Sequence, residues 1–357
     1  MKNKVLEGIK GPKNRFCKLV SAQVLGLMLY FIPSIQAQDA HFSQFYNNPL
    51  YINPALTGTT DEARLLFNYR TQWPKLPGEF VTINVSYDQH IAEYNSNLGA
   101  LVSLDRAGSA GLRNTNINLY YAYTLKINSE WAMQAGASVG YGQRAVDQFR
   151  LVFGDQLSAT GSTGQASQED IGGLVARYFD VSTGLVVYNE NFWFGISGLH
   201  LNQPNNSFSN ENTSAQLPMR LSAQIGMKIP FLESMSNRNV DYEGAIMPAI
   251  YYSQQGDFRQ LDLGANVYYH PVTVGLWYRG LPIQESANGA ISLMAAFKYQ
   301  KVSFAYNYDL PIGQFAGITG GAHELSLIIK MGEDQSKRYS YRRRKRNAPI
   351  RFPSMMD

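Results

Sequence analysis

Cysteine is almost absent from this chain: among 357 residues the only one is Cys17. It lies ahead of the first apolar stretch, where no lipid-attachment cysteine would sit. The rest of the chain therefore has no disulfide framework, no thiolate nucleophile and no cysteine-based zinc site. Charge is scarce as well, at 16% of residues against about 25% in an ordinary soluble domain. Beyond the N-terminus no apolar run approaches the roughly 18 residues that a spanning helix needs, and mean hydropathy is negative. A membrane-crossing structure built from such a chain has to be a closed barrel, because lipid offers no partner to an unpaired strand edge.

Catalytic signatures are missing too. His41, His90, His200, His270 and His323 show neither an i, i+4 pair nor an HExxH spacing, which argues against a metal site. Gly195-Ile196-Ser197-Gly198 lacks the last spacing of a G-x-S-x-G elbow and falls in a strand pattern. The glycine-rich stretch 154–164 has no lysine and no following helix, so it is a surface loop and not a phosphate cradle. A hydrolase assembled from His200 or His323 with loop acids is the one catalytic reading left. Against it stands the plainer one, that these are satisfied loop polar groups. The expectation is a protein that is not an enzyme and has no cofactor.

What is present is aromatic and small: aromatics make up 13%, with 23 tyrosines, beside 31 glycines. That mixture suits a tall, thin-walled sheet. The N-terminus reads as an export signal over residues 1–37, with Lys2, Lys4, Lys10, Lys13, Arg15 and Lys18 ahead of an apolar stretch, and Ile35-Gln36-Ala37 as a cleavage site before Gln38. A single-pass anchor is the alternative, opposed by the shortness of the stretch and by Pro33. Much of the net charge of +4 falls in this leader and in a C-terminal tail. The body between them, residues 38–332, holds 17 Lys and Arg against 23 Asp and Glu, a mildly acidic balance that offers nothing to nucleic acid.

From Ala63 onward the pattern alternates with period two, the mark of a sheet with two unlike faces. Thr115, Ile117, Leu119, Tyr121, Tyr123 and Leu125 share one face; Asn114, Asn116, Asn118, Tyr120, Ala122 and Thr124 share the other. One face suits lipid and the other a polar interior. Val81, Ile83, Val85 and Tyr87 against Thr82, Asn84 and Ser86 repeat the arrangement, and Gly136, Ser138, Gly140 and Gly142 leave room inside.

About fourteen strands follow, near 63–70, 80–88, 98–104, 113–125, 131–143, 181–188, 191–199, 218–229, 242–253, 259–269, 272–280, 289–299, 302–309 and 322–331. Connections after odd strands include the long stretches 145–180, 200–217 and 311–321, while 126–130, 189–190, 270–271 and 300–301 after even strands are short. Two even connections, 88–97 and 230–241, are longer and read as small helices or partner contacts. Long loops outside and short turns inside is the polarity of an outer-membrane barrel with both termini in the periplasm. A soluble β-sandwich also alternates. Against it stand the near ten-residue strands, the export signal and aromatics at strand ends (Tyr120, Tyr121, Tyr123, Tyr251, Tyr252, Tyr268, Tyr269, Trp277, Tyr278, Tyr306 and Tyr308) that read as an interface girdle. The expected organisation is a leader (1–37), a pre-barrel segment that serves as a plug or merely routes the chain (38–61), a transmembrane antiparallel up-and-down β-barrel (62–332) and a basic periplasmic tail (333–357).

The stretch from Gln38 to Gly58 (QDAHFSQFYNNPLYINPALTG) resembles the PorP/SprF family of Bacteroidetes outer-membrane proteins. So do Tyr69-Arg70-Thr71-Gln72-Trp73-Pro74, Phe179-Asp180-Val181-Ser182-Thr183-Gly184, Gly195 to Leu201 with Gln203-Pro204, Trp277-Tyr278-Arg279, Tyr306-Asn307-Tyr308-Asp309 and His323-Glu324-Leu325. The resemblance implies a component of the type IX secretion system that exports or holds a large surface adhesin used in gliding. It would recognise the adhesin's C-terminal domain at the extracellular rim. On the periplasmic side it would meet secretion or motility components, a peptidoglycan-binding protein among the candidates, with outer-membrane lipids around the barrel. One departure is the end of the chain, where Arg351-Phe352-Pro353 stands in place of the family's Cys-Pro segment.

Tyr46, Asn53, Pro54, Arg70, Gln72, Trp73 and His200 are the expected partner-binding residues. Asn53-Pro54 and Thr57-Gly58 also read as turn chemistry, and the Arg70 to Trp73 corner as a charged rim on an aromatic girdle. In the tail, Arg342, Arg343, Arg344, Lys345, Arg346 and Phe352 are the expected docking residues, with attraction to anionic lipid as the alternative. Two competing functions stay open: a passive or gated solute channel with an N-terminal plug, and a structural envelope tether that rests on the basic tail alone.

Overall fold

The computed structural model describes residues 39–147, 150–158, 161–163, 175–208, 216–233, 242–280, 289–313, 316–332 and 352–353. The expected leader lies outside them, as do Arg342, Arg343, Arg344, Lys345 and Arg346. The fold is a closed antiparallel barrel of 14 strands. They are β1 (Ala63–Gln72), β2 (Glu79–Ile91), β3 (Ser96–Gly108), β4 (Leu112–Lys126), β5 (Ala132–Ala145), β6 (Val175–Tyr188) and β7 (Phe192–Leu199). Then come β8 (Arg220–Met227, prolonged past Lys228 by Ile229–Glu233), β9 (Tyr242–Gln255), β10 (Phe258–Tyr269), β11 (Val272–Arg279), β12 (Ala290–Tyr299), β13 (Val302–Pro311) and β14 (Ala322–Met331). Each strand pairs with its sequence neighbour, and β1 closes on β14 with Ala63 opposite Met331 and Gln72 opposite Ala322. Closure leaves no strand edge to lipid, the condition a membrane imposes.

The alternation sorts as the sequence implies. In β4, Ile117, Leu119, Tyr121, Tyr123 and Leu125 are exposed to the outside, while Tyr120 and Ala122 are buried. In β2, Val85 and Tyr87 face out while Thr82, Asn84 and Ser86 are buried. Strand extents differ more. The alternation predicts strands over 98–104 and 181–188, yet β3 and β6 run over Ser96–Gly108 and Val175–Tyr188. Charged and polar residues such as Asp105, Arg106, Arg177 and Asp180 interrupt the apolar alternation there, while the backbone ladder continues, with Arg144 opposite Ala176 and Gln143 opposite Arg177. The 88–97 connection also shrinks: β2 continues to Ile91, and one 3-10 turn, Ala92–Tyr94, ends at Asn95 with φ 49°.

Residues 39–61 pass through the barrel interior, because their polar partners lie all around the wall. Asp39 N–H donates to Gln255 (3.0 Å), Ser43 N–H to Glu324 (2.6 Å) and Gly58 N–H to Asp88 (2.7 Å). Ser197 donates to the Ile52 carbonyl (2.7 Å). Pro49 opens a short helix, α1 (Pro49–Ile52), and Asn53 caps the 3-10 turn Pro54–Leu56 by accepting from Ala55 N–H; proline at a first helical position wastes no donor. Glycines in the wall make the fit possible. A Cβ on Gly136 would lie 2.4 Å from the Pro54 carbonyl, and one on Gly184 would overlap the Asn53 side chain. The room that small residues leave inside is thus taken by Asn53 and Pro54.

Two expectations need correction. The first concerns the girdle: Tyr120, Tyr251, Tyr268 and Trp277 are buried inside the barrel. Phe45 stacks on Tyr251 at 4.9 Å and meets Trp277 edge-on at 5.2 Å. Strand parity, not nearness to a strand end, decides which face an aromatic takes. Tyr121, Tyr123, Tyr269 and Tyr306 do face outward. The second concerns the N-terminal side. Asp39 sits beside His200, Arg220 and Gln255, at the end that carries the long connections, whereas Gly58 meets Asp88 at the end of β2 that carries the short turns. The segment therefore enters at the long-loop end and crosses the barrel before β1 starts. The expectation that the chain starts on the short-turn side fails at Asp39.

Candidate functional site

The strands place on their inner face charged residues that a charge-poor chain could have kept at its rims. Burying them demands pairing, since an isolated buried charge costs several kcal/mol or more. Near the long-loop end Arg70 of β1 lies 3.1 Å from Asp309 of β13 and 3.4 Å from Glu324 of β14, all with side chains at most 5% exposed. Arg279 of β11 reaches Asp309 (3.1 Å) and Asp262 of β10 (3.2 Å). The pre-barrel segment completes this cluster. Ser43 hydroxyl donates to Asp309 (2.5 Å) and accepts from Arg70, and Arg279 donates to the Phe42 carbonyl (2.7 Å). Two guanidinium groups face three carboxylates, so backbone N–H groups of Ser43 and Gln44 on Glu324 help hold the surplus negative charge.

A second cluster lies at the mouth. Asp39 Oδ2 meets His200 Nε2 at 2.8 Å and Arg220 at 3.1 Å, and His200 Nδ1 lies 2.9 Å from Asp180 without hydrogen-bond alignment. Burial alone would lower the His200 imidazole, but Asp39 and Asp180 outweigh it and hold it up at about 9. The ring is therefore cationic at neutral pH. Burial would raise Asp39, and His200 with Arg220 more than reverses this, keeping the carboxyl well below its usual range. A carboxylate thus stands against each ring nitrogen of His200, Asp39 at Nε2 and Asp180 at Nδ1. At the short-turn end Arg64 grips Asp88 through two contacts of 2.9 and 2.8 Å, and Asp88 also accepts from Gly58.

The expected site residues scatter over this frame. Asn53 and Pro54 lie buried against β5, β6 and β7, and Tyr46 packs on Trp277 at 5.2 Å. Arg70 is no exposed corner, because strand parity turns it inward to Asp309 and Glu324. Trp73 does reach the rim just beyond β1, its N–H donating to Gly321 (2.8 Å) and its ring edge-on to Phe80 at 5.3 Å; Gln72 is half-buried at the end of β1. His200 belongs to the mouth cluster. Phe352, expected to be a free docking anchor, packs instead on Tyr188 (5.3 Å) and Trp193 (5.8 Å) of the barrel's own short-turn end. Sequence reasoning missed Arg220 and Asp262, and passed over Asp39, Ser43, Asp180, Arg279, Asp309 and Glu324, which stand in the family-like segments but not among the expected site residues. A usable signal existed for those in strands: a charge at the inner parity of an otherwise alternating strand. Among the described residues no group of histidine, cysteine, aspartate and glutamate could hold a metal ion.

Residues 34–329 match the family model described as type IX secretion system membrane protein PorP/SprF. The chain belongs to the PorP/SprF family. As a member it is a membrane component of the type IX secretion system, and its 14-stranded barrel is of the outer-membrane kind. No curated relative matches it. Among solved structures, the toluene transporter TbuX of Ralstonia pickettii is similar at 8% identity over 78% of this chain and 92% of that one, with a TM-score of 0.48. The toluene transporter TodX of Pseudomonas putida is similar at 9% identity over 82% and 93%, with a TM-score of 0.44. At such values neither transporter's activity passes to this PorP/SprF barrel.

Proposed function

We propose that this PorP/SprF barrel is a non-enzymatic outer-membrane holder that helps export or anchor a large adhesin, recognising the adhesin's C-terminal domain at the long-loop, extracellular end, and is linked to gliding. The observation that carries the reading is the filled lumen. A barrel whose interior is crossed by its own residues 39–61, held by the Asp39–Arg220 ion pair and by hydrogen bonds of Ser43 and Phe42 to the buried charges of the wall, is a poor solute conduit. Its rims are then the surfaces left for partners. In this reading 38–61 is a plug, and the basic tail meets secretion or motility components in the periplasm, a peptidoglycan-binding protein being one candidate. Phe352 itself packs on Tyr188 and Trp193 at the short-turn end, which supports that side for the docking.

Three measurements test it. A deletion strain should lose surface display of its adhesin, and a tag in the 200–217 loop should be labelled on intact cells. Purified protein in planar bilayers should stay closed; stable solute-selective pores together with normal adhesin display in the deletion strain would favour the channel instead.

A further inference from the structure

The mouth cluster is incomplete without its smallest member. Arg220 is 3% exposed at its side chain, lies 4.8 Å over the Tyr51 ring and donates to the Tyr51 carbonyl (2.7 Å), so it is fixed in place by the barrel and the plug together. His200 is fixed from the other side by Asp180 (2.9 Å). Remove Asp39 and the buried Arg220 guanidinium is left without the carboxylate that pairs with it among the described residues, a positive charge that needs an anion. Asp39 itself is an imperfect anion for the place. Both of its contacts fall on the single oxygen Oδ2, and the Arg220 Nε, buried, has no hydrogen-bond partner among the described residues. A guanidinium offers a fork that a carboxylate can fill with both oxygens, and here that fork is only half used. Asp39 is also the group best able to leave: its side chain is 18% exposed, and among the described residues its backbone N–H is tied to the wall through Gln255 (3.0 Å).

We infer that Arg220 and His200 form a carboxylate-recognition socket at the long-loop mouth, occupied in cis by Asp39 and opened to a carboxylate of an incoming polypeptide that displaces it. The socket rests on the holder reading for the identity of that polypeptide. It adds the chemistry by which the barrel would sense it: engagement of the partner's carboxylate frees residues 39 onward from the mouth. Two sources supply the same chemistry, a side-chain carboxylate and the terminal carboxylate of a chain.

The test uses the purified full chain with Ala40→Cys and Cys17→Ser, in detergent, and follows thiol labelling by a charged maleimide. Sodium acetate, N-acetylglycylglycine and N-acetylaspartate amide should each accelerate labelling, by roughly tenfold when the latch is fully displaced; their counterparts N-acetylglycylglycine amide and N-acetylasparagine amide should not. If only one of the two peptide acids acts, the source is that one. The Asp39→Asn variant should label fast without any addition, and acetate should raise its thermal midpoint by filling the vacated socket. Arg220→Lys should abolish that rise, and because it removes a buried group, His200→Gln serves as the second variant with the same expected loss. Acceleration by the amides equal to that by the acids, or an Asp39→Asn midpoint indifferent to acetate, would overturn the socket. No adhesin enters this assay, so its failure would leave the display experiment above standing, and failure of that experiment would leave the socket standing without its partner.

Discussion

Replacing Arg70 by methionine isolates the buried charge cluster that binds the plug to the barrel seam. The substitution keeps the length of the side chain and removes the cation that lies 3.1 Å from Asp309 and 3.4 Å from Glu324. These carboxylates are at most 5% exposed, so solvent screening cannot take over. Removing one partner of a buried pair costs about 3 to 5 kcal/mol because the remaining charge is left uncompensated. Arg279 alone would then face Asp262, Asp309 and Glu324, and the Ser43 hydroxyl would lose the guanidinium that donates to it. Adding Glu324→Gln to Arg70→Met restores the original charge difference and should recover more than half of the loss, the coupling that a double-mutant cycle reads. Glu324→Gln alone should cost less than Arg70→Met, since its amide oxygen still accepts from Ser43 N–H although its NH2 no longer accepts from Gln44 N–H. Urea unfolding of the purified barrel, followed by tryptophan fluorescence, measures all three. A loss under about 1 kcal/mol for Arg70→Met, within the range of ordinary surface changes, would refute the claim that this cluster clamps plug to wall.

Gly136→Val should push Pro54 off β5, since even a Cβ would come within 2.4 Å of its carbonyl; planar bilayers should then show conductance steps from a barrel that is still heat-modifiable on gels, and a barrel as closed as the parent would contradict the close approach. The mouth latch has a defined pH window. His200 is raised from 6.5 to about 9, so its stabilisation is complete below pH 6.5 and lost as pH climbs through 9, while Asp39, lowered, weakens it only in strong acid; thermal midpoints should fall across the alkaline range, and His200→Gln should flatten that fall. Truncation after Lys330 should leave a heat-modifiable barrel in the outer membrane yet reduce adhesin display and remove a periplasmic partner from pull-downs. Phe352→Ala alone should give part of that loss, and an unchanged partner set in both strains would reject docking by the tail.

The strand pattern, the fold class and the family were legible in the sequence because each is written in local chemistry. Alternation of Ile117, Leu119 and Tyr121 with Asn116, Asn118 and Tyr120 needs no distant partner to be read, and the two faces of a strand meet lipid and lumen wherever the strand lies in the wall. The number of strands followed for the same reason. Tertiary structure decided what fills the lumen. Nothing local in residues 39–61 tells that Asp39 stands at the long-loop end while Gly58 meets Asp88 at the other, or that Gly136 and Gly184 are small because Pro54 and Asn53 lie against them. It also decided the site. Arg70, Asp309 and Glu324, or Asp39, His200 and Arg220, are separated by up to 254 residues in sequence and meet only because β1 closes on β14 and the plug runs between strands. A charge at inner parity can be read from one strand, but the partner that makes its burial affordable is supplied by the closed ring.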